Sequence, residues 1–304
     1  MSKILLSPSS FGQISIEPVK MLERQGYQIT HNPFGRKLTA EEVVDLGRDC
    51  VGIVAGVENL SREVLLNLPK LQCISRVGTG LDNVDLDAAN ETGITVKNTP
   101  FGPTQAVAEL AIGLAFALLR EIPMADADLK NRIWSKRTGN LLQGKTIGVI
   151  GLGRIGKKVA EMFSKFETKV QGYDIAPDFT WALESSVKIV DLDNLLATSD
   201  LVSIHVPGSC GRPVLSAENL KGMKKGAWLV NLARGGVVDE REIYKMLEKK
   251  HLAGAAIDVF SEEPYTGELC DLNNVILTPH LGSYAMEAKL KMELEAVENL
   301  LISL

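Results

Sequence analysis

The sequence predicts an α/β protein built on parallel sheets with helices on both faces. Short apolar runs alternate with amphipathic stretches almost from end to end. Strands separated by helix-length segments are the signature of βαβ units, whose sheet is covered on both sides. The chain has 304 residues, and roughly 150 residues per domain sets an expectation of two domains. No repeat, low-complexity tract or Gly/Ser linker interrupts it. The domains are therefore expected to be joined by structured elements, which suit a hinge better than a tether.

In chain order, the first third carries strand candidates at 4–7, 52–54, 71–75 and 94–96, with helical patterns such as 16–24 and 62–67 between them. The most apolar helix runs from 103 to 120 and is followed by a polar, charged stretch at 126–139. A second series then begins, with strands at 146–150, 169–173, 187–190, 201–205, 227–231, 254–258 and 275–278. The final segment, 284–304, is helical by its period and lacks strong breakers.

Composition excludes several classes. Thirty-eight acidic residues against 33 basic ones leave a net charge of −5, the wrong sign for a surface that neutralises nucleic-acid phosphates or lipid headgroups. With 45% hydrophobic and 23% charged residues, the chain can bury a sizeable core. Its longest apolar run, 110–119, is far short of the roughly 18 residues needed to span a bilayer. The N-terminus enters a short apolar strand directly, with no signal-peptide core. Cys50, Cys73, Cys210 and Cys270 are scattered, with no close pair. They read as buried thiols in a reducing, cytoplasmic compartment, and no metal site is expected.

The strand 146–150 (TIGVI) leads into Gly151-Leu-Gly-Arg-Ile-Gly156 and an amphipathic helix from Lys157. Gly151 permits a tight turn, Gly153 lets backbone approach a pyrophosphate, and Gly156 allows close helix–strand packing. The helix N-terminus offers N–H groups and a positive dipole to an anion. Alone, such a glycine pattern is weak. Here a strand precedes it, a helix follows, and Asp174 closes the next strand about 20 residues on. A carboxylate there accepts hydrogen bonds from ribose hydroxyls and repels a 2′-phosphate. No arginine follows it directly, which favours NAD over NADP.

Three ionisable residues follow ends of expected strands: Arg234 in NLARGGVVD, Glu263 in DVFSEEP and His280 in TPHLG. Ligands of open parallel sheets bind outside the carboxyl ends of strands, so these three can converge on one crevice. If they do, an imidazole accepts the proton as an alcohol loses hydride. A carboxylate on the other ring nitrogen orients the imidazole, and a guanidinium holds a substrate carboxylate. Singly, each has an ordinary explanation: surface charge, solvated loop or core histidine. His31, His205 and His251 are expected to be histidines of that last kind, satisfied within the fold.

GLGRIG at 151–156, NLARGGVVDE at 231–240, DVFSEEP at 258–264 and TPHLG at 278–282 together resemble the D-isomer-specific 2-hydroxyacid dehydrogenases, over nearly the whole chain. Within that family, RVGTGLDNVD at 76–85, NTP at 98–100 and AVAE at 106–109 resemble the 3-phosphoglycerate dehydrogenase branch. The resemblance implies two Rossmann-like, doubly wound domains. A substrate-binding domain would comprise 1–98 and 283–304, with an NAD-binding domain at 99–282 inserted into it. It implies Arg234, Glu263 and His280 as substrate-binding arginine, acid partner and general acid/base. Arg76 and the N–H groups of Gly78, Thr79 and Gly80 would bind substrate, Thr79 also lying near the cofactor. Arg154 and Ile155 would sit over the pyrophosphate and Asp174 on the adenosine ribose. Val206, Pro207 and Ala233 would line the cofactor cleft, and Asp258 would meet the carboxamide. The apolar helix and the arm around Trp134 match the family's dimerisation region, implying a homodimer in which Trp134 reaches the partner's active site.

The expected reaction interconverts a small D-2-hydroxy acid and its 2-oxo acid, with 3-phosphoglycerate/3-phosphohydroxypyruvate first. The alternative is an unphosphorylated acid of the glyoxylate or hydroxypyruvate type. It is motivated by Ala55, where many relatives carry a phosphate-binding arginine, and by Tyr284 after the histidine motif. One missing charge-assisted contact weakens phosphate recognition by about 1.5–3 kcal/mol. A non-catalytic, NAD-sensing corepressor-like protein is the other alternative, though it has no reason to keep three ionisable groups at strand ends. A formate-dehydrogenase-like activity is disfavoured by Glu263, where that branch uses an uncharged amide. The chain stops at Leu304, so the C-terminal regulatory domains of many serine-pathway relatives, and feedback through them, are not expected.

Overall fold

The computed structural model describes residues 1–208 and 213–304. They form two compact units, one of Met1–Pro103 with Ser283–Leu304, the other of Thr104–Gly282.

The first unit carries β1 (Lys3–Leu6), β2 (Gln28–His31), β3 (Cys50–Ala55), β4 (Cys73–Arg76) and β5 (Thr95–Asn98). All pair in parallel, in the order β2-β1-β3-β4-β5. Successive strand residues point to opposite faces, so near-continuous apolar strands build two cores. Ile4, Leu6, Val54 and Cys73 pack with Ala296, Val297 and Leu300 of the last helix, Met286–Ser303. Leu5, Ile53, Ala55 and Ile74 pack with Val43, Val64, Leu65 and Ala88 on the other side. These come from the helices Ala40–Gly47, Arg62–Leu66 and Leu86–Glu91. The first of those helices opens with a capping box in which Thr39 and Glu42 satisfy each other's backbone N–H. β2 leaves no trace in the sequence, because QITH is a half-exposed edge strand, paired among the described residues to β1 alone, with no apolar run to betray it.

The second unit carries β6 (Thr146–Ile150), β7 (Lys169–Tyr173), β8 (Lys188–Ile189), β9 (Leu201–Ile204), β10 (Trp228–Asn231), β11 (Gly254–Ile257) and β12 (Val275–Leu277). Its order is β12-β11-β10-β9-β6-β7-β8, again wholly parallel. Ile147, Val149, Leu201 and Val230 face one core; Ile150, Val202, Ile204, Leu229 and Ile257 face the other. The α/β class with two doubly wound parallel sheets is thus the architecture of the chain.

One expectation is corrected, that of the cysteines, and two stretches gain detail. The apolar helix, Pro103–Leu119, packs Val107, Ala108, Ala111, Leu114, Ala115 and Leu118 into this unit's own core. The polar stretch after it begins as a helix, Ile122–Lys130; only the part beyond is irregular, with Trp134 exposed. The cysteines are not uniformly buried. Cys50 and Cys73 are buried and desolvation pushes both thiols up, but Cys270 is exposed. Cys210 lies outside the described residues. No helix among the described residues is long and apolar enough to cross a membrane.

Candidate active site

In the second sheet the strand order reverses between β6 and β9, and a ligand crevice opens at the carboxyl ends of strands at such a reversal. The glycine turn follows β6 there. Gly151 has φ +88°, a left-handed conformation that strains any side chain. A Cβ on Gly156 would overlap the Gly151 carbonyl oxygen, so this glycine brings the helix Arg154–Ser164 onto the turn. A Cβ on Gly153 would meet no atom of the described residues within 4 Å. Gly153 is also the N-cap of that helix and no side chain caps it. The turn therefore keeps open space and backbone donors where a pyrophosphate would sit. Asp174, one residue past β7, accepts from Leu152 N–H at 2.6 Å and Ala176 N–H at 2.9 Å, bracing the turn. Arg154 is exposed, whereas Ile155 packs its side chain against the core and offers backbone alone. Val206 is half-buried against the second core, and Pro207 is exposed. Ala233 is buried, its N–H bound to Asn231 Oδ1 and its carbonyl to Arg234 Nη1 at 2.7 Å.

The ends of β10, β11 and β12 lie side by side, with Asn231 opposite Ile257 and Ile257 opposite Leu277. Arg234 follows the first, Glu263 the second and His280 the third. A Cβ on Gly235 would overlap the Phe260 carbonyl, so the arginine loop lies directly on the loop that carries Glu263. Glu240, which the sequence reading passed over, fastens that second loop by accepting from both the N–H and hydroxyl of Ser261 at 2.6 and 2.7 Å. Glu263 Oε1 accepts from Phe260 N–H at 3.1 Å, and its Oε2 meets His280 Nδ1 at 3.0 Å. The expected carboxylate–imidazole pair therefore exists as a hydrogen bond, with both side chains accessible to solvent.

His280 stands at φ +54°, uncommon for a residue with a side chain. Asp258 is what holds it there. Its backbone carbonyl accepts His280 N–H. Its carboxylate takes Thr278 Oγ1 at 2.6 Å, Leu281 N–H at 2.7 Å and Gly282 N–H at 2.8 Å. The residue is fully buried, and desolvation pushes its carboxyl up against those donors. The expectation that Asp258 meets a carboxamide is corrected: three internal donors claim the carboxylate, and its work is to shape the histidine turn.

In the first unit, Arg76 ends β4 and the loop after it doubles back. A Cβ on Gly78 would overlap Arg76 Nη1, so the guanidinium lies flat against that glycine. Gly78 N–H donates to Thr99 Oγ1 at 2.6 Å. That corrects the expectation that Gly78 offers its N–H to a ligand, and Thr79 and Gly80 remain. Thr79 Oγ1 is buried with no hydrogen-bond partner, and Asn98 Nδ2 holds its carbonyl at 2.6 Å. Tyr284 is exposed.

The other histidines differ from one another. His251 Nε2 meets the Met223 carbonyl at 2.9 Å, as expected of a satisfied group, whereas His31 is exposed at the end of β2. His205 corrects its expectation: Nε2 meets Ser203 Oγ at 2.7 Å, but Nδ1 is enclosed without a partner. Desolvation lowers its pKa to about 3.

The second unit joins a receptive glycine turn at the reversal of a parallel sheet to an imidazole–carboxylate pair at neighbouring strand ends, and comparison with known proteins gives the family. Residues 112–282 match the D-isomer specific 2-hydroxyacid dehydrogenase, NAD binding domain, and the chain belongs to that family. It is 38% identical to the D-3-phosphoglycerate dehydrogenase of Rattus norvegicus over 300 residues, covering 95% of this chain and 54% of that one. It thus spans about half the length of the curated relatives it matches. Among solved structures, the TT0316 protein from Thermus thermophilus superposes with a TM-score of 0.89 at 32% identity, covering 98% of this chain and 96% of that one. A glyoxylate reductase from Paecilomyes thermophila does so with 0.87 at 27%, covering 98% and 94%.

Proposed function

We propose that the chain is an NAD-dependent dehydrogenase that interconverts a small D-2-hydroxy acid and its 2-oxo acid. The observation that carries this reading is the 3.0 Å hydrogen bond between His280 and Glu263 at the strand ends of an NAD-binding domain. NAD, when bound, accepts hydride from the carbinol carbon. Gly151, Gly153 and Gly156 with the N–H groups of Arg154 and Ile155 would hold its pyrophosphate, and Asp174 its ribose. Val206, Pro207, Ala233 and Thr79 would border it.

With Nδ1 engaged by Glu263, the Nε2 lone pair of His280 takes the hydroxyl proton in oxidation and returns it in reduction. Glu263 keeps the ring in the tautomer and orientation this needs and stabilises the imidazolium that forms. Arg234 pairs with the substrate carboxylate and polarises the adjacent C–O bond. In the first unit, Arg76 and the N–H groups of Thr79 and Gly80 are the candidate substrate-binding groups. The hydroxy acid loses one hydride and one proton, and the 2-oxo acid, reduced cofactor and protonated histidine balance the step.

The curated relatives are named D-3-phosphoglycerate dehydrogenases, which supports 3-phosphoglycerate and its 2-oxo acid as one substrate pair. An unphosphorylated 2-oxo acid is the second reading, favoured by Ala55 at the end of β3. Homodimerisation, implied by the family, would use the exposed Ile133, Trp134 and Leu141. Sedimentation showing a monomer at micromolar concentration would remove that part.

The experiment is NADH oxidation with a panel of 2-oxo acids. Wild type should turn over at least one of them, and His280→Ala should lose about 10²–10⁴-fold in kcat. A His280→Ala variant as fast as wild type would overturn the assignment.

A further inference from the structure

The first unit has its own reversal of strand order, between β1 and β3, and this edge lies where an open parallel sheet receives a ligand. The residues there are Ser7 and Pro8 after β1, the segment Ala55–Glu58 closing β3, and Arg76 on β4, in register with Ala55. Glu58 is only 2% exposed. Both its carboxylate oxygens accept from Gly56 N–H, at 3.0 and 3.1 Å. Asn83 Nδ2 clamps the same loop from its carbonyl side, on Glu58 at 2.6 Å and Gly56 at 3.3 Å. A Cβ on Gly56 would lie 3.1 Å from Glu58 Oε2 and 3.3 Å from Pro8 Cγ, so the carboxylate fills the notch between the ends of the two strands. Ser7 is buried at the same edge, and its hydroxyl has no hydrogen-bond partner among the described residues.

An anionic group on a substrate needs donors and positive charge at this edge. Gly56 N–H is the donor that β3 would offer, and a carboxylate of the chain already holds it. Ala55 supplies no donor. Arg76 supplies one positive charge, and Glu58 sets a negative charge on the neighbouring strand end. Like charges brought together in a low-dielectric notch repel strongly. We propose that Glu58 is a specificity-determining residue of the first unit, excluding 2-oxo acids whose distal end carries phosphate or a second carboxylate and admitting those whose distal end is uncharged or a hydrogen-bond donor. The Ser7 hydroxyl is the nearby neutral group that such an end would meet. This rests on the dehydrogenase reading and, within it, takes the unphosphorylated acid over the phosphorylated one.

Hydroxypyruvate and 3-phosphohydroxypyruvate differ only in the phosphate, so the ratio of their kcat/KM values reads the effect directly. Wild type should prefer the unphosphorylated acid by about 100-fold or more. Glu58→Gln keeps an acceptor for Gly56 and removes the charge. It should raise kcat/KM for the phosphorylated acid about tenfold or more, through KM, and change hydroxypyruvate less than about threefold. A purely structural role would lower both substrates together and leave the ratio where it was. Ala55→Arg, which adds a cation without touching Glu58, should move the ratio the same way. Wild type preferring the phosphorylated acid, or a ratio unmoved by Glu58→Gln in a variant that melts like wild type, would overturn the inference alone. No turnover with any acid, with NADH still bound, would instead overturn the dehydrogenase reading and this inference with it.

Discussion

The two sheets obey one topological rule and fill it with opposite chemistry. At the reversal between β6 and β9, backbone donors at the glycine turn face open space, with no Cβ on Gly153 to occupy it and no side chain capping the helix. At the reversal between β1 and β3, the corresponding donor on Gly56 is bound by the chain's own Glu58. The first edge is receptive to an anion; the second contains one. Topology locates a ligand edge, and the residues seated there decide which charge it accepts.

Substitutions at the two edges should therefore behave differently. The largest effect is expected in the second unit. Gly153→Val should cost at least about tenfold in NADH affinity, read by fluorescence titration, because the new side chain enters space that only a ligand would use. The loss of affinity should exceed any loss of stability, since a Cβ at this position meets no described protein atom within 4 Å. A variant that binds NADH normally would break the comparison at its receptive end.

Next is Asp258→Ala, which strips the histidine turn of three acceptor contacts. We expect about 2–4 kcal/mol of lost stability by denaturant unfolding, together with a fall in turnover, as the buried N–H groups of Leu281 and Gly282 lose their partner. Turnover unchanged at saturating substrate would mean that His280 holds its place without this brace.

Glu263→Gln follows. The amide still fills the space but no longer stabilises the imidazolium, so kcat should fall by about tenfold or more and the acid limb of the pH–rate profile should move to lower pH. An unmoved profile would argue that the 3.0 Å contact has no part in the proton's path.

The smallest effect concerns His205. Its folded pKa of about 3 lies below the ordinary value of 6.5. Between those values the unfolded chain takes up a proton that the folded chain refuses, so stability is full above pH 6.5 and declines as pH falls. The decline is at most about 2 kcal/mol between pH 6.5 and 5. His205→Asn should flatten that part of the stability curve. Parallel curves for variant and wild type would show that the ring takes up its proton without unfolding.

Much of the second unit was legible because its strands are buried on both faces. The stretches 146–150 and 169–173 read at their observed bounds, since a run with few polar residues tells its length plainly. The edge strand Gln28–His31 and the helix Ile122–Lys130 left no such trace, because half or more of their residues face water and none is buried. In the site, Arg234, Glu263 and His280 stood out as charged groups after apolar strands. Glu240, Thr99 and Glu58 did not, because each acts on backbone 21, 21 and 2 residues away through a loop whose path no local pattern encodes. Asp258 was noticed but misassigned: a carboxylate at a strand end looks alike in sequence whether it meets a ligand or its own turn.

The sequence by itself determined the α/β class, the anion-receptive turn, the identity of the imidazole–carboxylate pair and the family. The class and the turn depend on local period and on glycine's missing Cβ, and the family on the resemblance of four short motifs, all properties carried within a few positions. Only the tertiary structure decided that Asp258 and Gly78 are engaged internally, that the most apolar helix is core, and that Glu58 closes the second reversal point. Those outcomes are hydrogen bonds and packing between segments far apart or joined by folded-back loops. Which donor meets which acceptor there is settled when desolvation forces every buried polar group to find a partner among whatever the fold brings near.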